Sequence, residues 1–331
     1  MKPILRSFLF ILIVNYLAPS HLYGQTYKSQ IAIYDDNDQY INPNHDRYYT
    51  DGVGFTYSHI LPITKDANST LVKKIFEIEG GQKIYNSYTA DAYTIQKDPF
   101  VFQPFRQDRP FTAYAYAGAS LDWLYADEES LKATVDLGTI GPLALGKQIQ
   151  QGTHNLLGLY PARGWKYQLN NAPGINLRLD YKALLYRNSA NWFDIAFNPT
   201  GWLGNTFTGA SAGMQIRIGG MGKFYQSAIT NSLISNSANG GDTHEFYFFT
   251  VPQINYVAYD ATIEGGLWLK DKGPVTFGIY HVVYQQQFGL QYVTNRWSLN
   301  YTAFIRTREV KSSALGDQWA SLNFAYRFGK I

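Results

Sequence analysis

Gln150 and His154 stand four residues apart in the segment Gly141 to Gln168, within a chain that otherwise alternates like β-strand. From Leu143 to Leu157 the segment has helix period, with Leu145, Ile149 and Leu156 on one stripe. Gln150 and His154 share a different stripe, turned away from that apolar face. Gly141-Pro142 opens the helix with a turn signal, and Gly158 with Pro161 closes it. Imidazole is the side chain best suited to take a proton near neutral pH. Neither Ser nor Cys occurs between Gly141 and Gln168, so the segment itself offers no nucleophile. A His base acting on water, with a cation or an amide at the oxyanion, is the reaction open to it. The plain alternative is a hydrogen-bonded or surface histidine.

A second group lies near the N-terminus. Tyr34-Asp35-Asp36-Asn37-Asp38 ends the first strand in oxygen ligands, and Asp46-Arg47-Tyr48-Tyr49-Thr50-Asp51-Gly52 launches the second. Carboxylates and amides gathered at one end of adjacent strands suit a hard cation such as Ca²⁺. Asp and Asn also collect at strand ends because they make turns, and spacing alone favours that reading. The match Gly209-Ala210-Ser211-Ala212-Gly213 is not a nucleophile elbow. Met214-Gln215-Ile216-Arg217-Ile218 continues strand alternation after it, where an elbow needs a helix. His45, His59, His244 and His281 fall in loops or strands and have no stronger claim, and no phosphate-loop motif is present.

Strands must carry these groups. Between Ile175 and Leu185 the odd positions are apolar or small (Tyr181 and Ala183 among them), while Asn176, Arg178, Asp180 and Lys182 fill even ones. The same alternation runs through 131–137, 193–197, 210–218, 297–305 and 322–328, several runs reaching the roughly 10 residues that span a tilted bilayer strand. The chain has 331 residues, with 27 Tyr, 20 Phe and 7 Trp against only 16% charged residues. That balance suits a sheet whose outer face meets lipid between aromatic girdles. A secreted β-sandwich shares the composition, but its strands are typically about 5 to 6 residues long.

Asn188-Ser189-Ala190 and Thr294-Asn295 read as tight turns; Pro62 to Thr70 and Ser227 to Thr243 read as long loops, expected at the opposite end. The expectation is an all-β fold: a transmembrane antiparallel barrel of about twelve strands with one short helix packed at the active site. Lys2 and Arg6 ahead of the apolar run Phe8 to Val14 predict a signal peptide over residues 1–24, leaving 25–331 as the barrel domain. Losing those two charges takes 28 minus 25 to 26 minus 25, so the mature chain is nearly neutral and shows no nucleic-acid footprint. Cys is absent, which removes disulfides and thiolate metal sites.

Read in order, Asn37-Asp38, Asp46 to Gly52, Asp108-Arg109-Pro110-Phe111, Gly141-Pro142 through Gln150, His154 to Gly158, and Gly164-Trp165 with Gln168-Leu169 resemble the lipid A 3'-O-deacylase family of Gram-negative outer membranes. Weaker similarity continues through Asn255 to Tyr259 and Glu264-Gly265, so it spans essentially the mature chain. The resemblance implies a twelve-stranded barrel whose active site lies between the inner wall and a short helix near the outer leaflet. It implies hydrolysis of an ester-linked 3' acyl chain of lipid A in the presence of Ca²⁺. By the same resemblance His154 is the catalytic histidine, Asn37 and Asp38 are the Asn-Asp pair at the metal, Thr50 is the second-strand threonine, and Gln150 is the helical glutamine. The family's Glu shortly after the helix is Tyr160 here, and a further acidic position is Ala172. The expected partners are lipopolysaccharide and outer-membrane lipids, with the chain acting as a monomer and Lys73 and Lys74 meeting lipid A phosphates. An outer-membrane phospholipase and a non-catalytic barrel, structural or pore, are the alternative readings.

Overall fold

Period-2 patterning over long runs closes on itself. A computed structural model of the chain describes residues 26–42, 46–64, 69–89, 106–159, 163–236 and 244–330. The expected signal peptide, His45 and Tyr160 lie outside them. Twelve antiparallel strands form one closed barrel, each paired with its neighbours in sequence, and β12 (Asp317–Lys330) pairs with β1 (Tyr27–Asn37). The strands run from 10 residues in β11 (Trp297–Arg306) to 19 in β3 (Leu71–Thr89), long enough to cross a bilayer. Closure leaves no unpaired edge for lipid to meet.

The pleat sorts the side chains. Ile33, Val53, Phe55, Val135, Leu137 and Ile175 are exposed on the outside. Tyr34 of β1 and Tyr116 of β4 (Thr112–Tyr125) instead meet hydroxyl to hydroxyl at 2.8 Å across the interior. In β6 (Ala172–Arg187), Arg178 pairs with Asp180 at 2.9 Å and with Glu79 at 3.8 Å inside the lumen. Charged groups therefore sit where neighbouring strands supply partners and the outer wall remains apolar, as lipid demands. Ser211 of the Gly-x-Ser-x-Gly match lies inside β8 (Phe207–Gly220) and faces the lumen, so it is barrel wall.

The loop pattern differs from expectation. Successive strands alternate direction, so connections after even-numbered strands share an end with both termini. The tight turns after β6 and β10 (Val282–Val293) lie at that end, and so do the long connections 62–70 and 221–244. Ser235 N donates to Tyr27 O at 2.9 Å, fixing the second of these beside the N-terminal strand. At the other end stand 38–45, 90–111, 141–171, 261–281 and 307–316. Both ends thus carry long connections, two at the end bearing the termini and five at the other, and the strand pattern alone did not rank them.

Candidate functional site on the outer wall

The helical period produces α1, Gly146–Leu157, preceded by a 3-10 turn at Pro142–Ala144 and by Leu145 in the left-handed region. Gly158, at φ +69, ends it, a conformation that costs glycine little. The stripe Gly146, Gln150 and His154 is buried, whereas Leu156 and Leu157 are 85% and 64% exposed. The helix is therefore inverted relative to one in a soluble core: its polar stripe faces protein and its leucines face outward.

What the helix packs on corrects the expected inner-wall site. Tyr34, Gly54 and Gly81 lie on the lumen side, so Val53, Gln82 and Ala115, one residue along, lie on the outer side. Ile84 and Ala113 follow in that outer row and join Phe111, Ala144 and Trp165 in a buried apolar cluster. Gln82 Nε2 also donates to Ala144 O. A Cβ on Gly146 would come within 2.5 Å of both Ala113 Cβ and Trp165 Cη2, so only glycine lets α1 approach this closely. The histidine faces the outside of the barrel because the apolar docking surface for its helix is there.

Opposite the helix, the start of β2 (Asp46–Leu61) departs from strict alternation. Tyr48 takes φ +59, and the register with β3 shifts between Asp46 and Tyr48 and again between Tyr49 and Asp51. A regular strand would put Asp46, Tyr48 and Thr50 on one face. The irregularity sends Tyr48 into a buried cap with Ile263, Ile279, Val310 and Ala314, and Tyr49 inward against Tyr85 and Trp319. Asp46 and Thr50 are left together toward the helix.

Thr50 Oγ1 donates to Asp46 Oδ1 at 2.6 Å, and Asn86 Nδ2 donates to the same oxygen at 2.5 Å. Asp46 Oδ2 faces His154 Nε2 at 3.9 Å. Burial holds the His154 imidazole below its usual range, opposed by the negative charge of Asp46. Gln150 Oε1 accepts from Trp165 Nε1 at 2.6 Å, which ties α1 to the following 3-10 turn, Gly164–Tyr167. Its Nε2 is buried with no partner.

Asn37 and Asp38 stand where β1 ends. Asn37 Oδ1 accepts from Gln39 N at 2.8 Å, capping the 3-10 turn Asp38–Tyr40. Asp38 is 2% exposed; its Oδ2 accepts from Arg47 N at 2.8 Å, while Oδ1 is buried without a partner. Burial, and next the neighbouring Asp46 carboxylate, push Asp38 well above the usual carboxylate range. A buried oxygen with nothing to accept from, beside a second carboxylate, suits a hard cation. Among the described residues no three His, Cys, Asp or Glu side chains converge on one point, so amide, carbonyl and water oxygens would complete such a shell.

The structure thus brings His154, Thr50 and Asp38 to one carboxylate, Asp46, and places Asn37 and Gln150 at its margins. The sequence named Asp46 only as one acid among several, quoted Trp165 within the Gly164-Trp165 motif without giving it a role, and did not single out Asn86. Asn86 is 40 residues from Asp46 and carries no motif of its own, so only register could have found it. Asp108-Arg109-Pro110-Phe111 straddles the wall as scaffold. Asp108 accepts from Tyr48 Oη and Ser87 Oγ, Arg109 bonds Glu309 at 3.1 Å, and Phe111 meets Trp165 edge-on. Ala172 is packed among Tyr114, Ile140, Leu169 and Ala261, where a carboxylate would be buried in apolar surroundings. Lys73 and Lys74 do not reach the site. They lie at the opposite end of the barrel, with Lys73 Nζ donating to Ser232 O at 2.6 Å and Lys74 over the Trp123 ring.

A closed twelve-stranded barrel with an apolar belt, bearing a helix-covered polar site on its outside, is an outer-membrane β-barrel protein. The family model described as Outer membrane protein LpxR matches residues 7–328, and the chain belongs to that family. Among solved structures, LpxR from Salmonella typhimurium is similar at a TM-score of 0.70 and 19% identity, covering 90% of this chain and all of that one. The β domain of the Bordetella autotransporter Brka (TM-score 0.44, 8% identity, 92% of this chain and 100% of that one) is a more distant barrel. So is the COG4313 outer membrane channel of Pseudomonas putida F1 (0.42, 10%, 94% and 100%). No curated protein matches in sequence.

Proposed function

We propose that the protein is an outer-membrane esterase that hydrolyses an ester-linked acyl chain of lipid A, the 3'-O chain by its family. The observation that carries this reading is the His154 Nε2 to Asp46 Oδ2 approach of 3.9 Å on the lipid-facing side of the wall. A lipid ester reaches that position from the bilayer, whereas a lumenal site would require the acyl chains to enter a charged interior. The end bearing α1 carries most of the long connections, which in outer-membrane barrels is the external end, where lipid A resides.

The imidazole of His154, kept neutral by burial, takes a proton from water as that water attacks the ester carbonyl. Asp46 stabilises the imidazolium that forms, and Thr50 and Asn86 hold Asp46 so that Oδ2 faces the ring. Collapse of the tetrahedral centre returns the proton from His154 to the departing sugar oxygen. Asn37 and Asp38 would hold Ca²⁺, which supplies positive charge for the oxyanion when bound. One lost oxyanion partner typically costs about 10²–10³ in rate. Gln150 Nε2, buried and without a partner one helical turn before His154, is a further donor on the same face of α1.

Mass-spectrometric profiling of lipid A from cells expressing wild type or His154→Ala tests the reading. Wild type is expected to remove one acyl chain, in a Ca²⁺-dependent manner, and His154→Ala to remove none. Equal deacylation by both takes His154 out of the reaction; cleavage of glycerophospholipids alone assigns the site to a phospholipase.

A further inference from the structure

We propose that residues 221–236, between β8 and β9 (Glu245–Asp260), form a plug that seals the lumen at the end bearing the termini. This goes beyond the esterase reading and does not depend on it. The barrel interior holds a cavity of about 700 Å³, lined by Glu77, Asp122, Lys132, Asp180 and Gln215 from the wall and by Ala228 to Asn231 from this segment. A polar cylinder of this kind would conduct ions if both ends were open.

The segment is built as protein interior. Phe224, Ser227, Ser232 and Ile234 are fully buried, and Ile234 packs with Ile60, Ile75 and Leu124 from three strands. Its backbone is held by wall side chains. Glu128 Oε2 accepts from Phe224 N at 3.0 Å, and Glu245 accepts from Gly222 N at 2.6 Å and Ala228 N at 2.9 Å. Arg217 donates to Ser227 Oγ at 3.1 Å and lies over the Phe224 ring at 4.4 Å. The tip is latched across the lumen by Asn231, which donates to Ser58 Oγ at 2.9 Å and to Glu77 and accepts from Gln30. A loop that merely drifted over the mouth would not satisfy three interior side chains from β1, β2 and β3 with one amide.

The absence of cysteine allows a direct test. Ser211 faces the cavity and its hydroxyl has no partner, so Ser211→Cys reports on the lumen; Ser189→Cys, in the exposed turn after β6, is the reference at the end bearing the termini. Each full-length variant, folded in lipid vesicles, is treated with a charged, membrane-impermeant methanethiosulfonate. With the plug intact, Ser211→Cys is expected to react at least about 100-fold more slowly than Ser189→Cys. Deleting residues 223–235 should bring the two rates together. If that deletion does not fold, Asn231→Ala, which removes the latch, should speed Ser211→Cys about tenfold and leave Ser189→Cys unchanged. Equal rates with the plug intact, or no acceleration in a folded plug variant, would overturn the proposal.

Discussion

Replacing Asp46 by Asn keeps the shape of the side chain and removes one charge, so it isolates what the carboxylate does for His154. Asn86 and Thr50 still have an oxygen to bond, and the barrel should fold normally. At the observed 3.9 Å, a unit charge opposite an imidazolium is worth about 4 kcal/mol at an effective dielectric of about 20. That charge exists only after the water proton has moved, so the loss falls on the chemical step and not on substrate binding. Three decades in rate is the corresponding ceiling, and water reaching the site should trim it, giving a fall in kcat of about 10²–10³ with KM little changed. The pH profile should move as well. Burial already lowers the His154 pKa and Asp46 partly restores it, so removing the carboxylate should shift the acidic limb to still lower pH. Initial rates of acyl release from lipid A in mixed micelles, measured across pH, give both quantities. A variant within about threefold of wild type, with an unmoved limb, would refute the proposed role of Asp46 and with it the mechanism.

Three further outcomes are expected. Ca²⁺ at about 100 times its dissociation constant should raise wild-type stability by about 2.7 kcal/mol, seen as a higher melting temperature than in chelator, and should leave Asp38→Asn unmoved. With Ca²⁺ removed, stability near the carboxylate range should fall as pH rises. The folded-state pKa of Asp38 is raised, so its contribution is fully present below the unfolded value and is lost as pH climbs through the folded one; Asp38→Asn should flatten that slope in melts taken at several pH values. Gly146→Ala should cost about 1–3 kcal/mol and lower deacylation, because its Cβ meets Ala113 and Trp165 and lifts α1 from the wall; full activity in lipid A profiles would show that the contact does not set the position of His154.

What the amino-acid order alone determined was the architecture. Alternation sustained over runs of up to about ten residues states that each strand has an apolar and a polar face, and the run 322–328 lies in the strand that pairs with β1 to close the barrel. The 3.6 period likewise separated Gln150 and His154 from the leucines, because local geometry fixes which side chains share a stripe. Which wall the helix covers was not local information. It depends on Ile84, Ala113 and Phe111 forming an apolar patch with Trp165, residues up to 81 positions apart that meet only through strand register and chain reversal. Tyr48 makes the same point. Its left-handed backbone cancels the alternation that would have placed Asp46, Tyr48 and Thr50 together, and the choice rests on tertiary contacts with Ile263, Ile279 and Val310. Period and composition act over a few residues and are legible in a string; the side of a wall is decided by partners that the string keeps far apart.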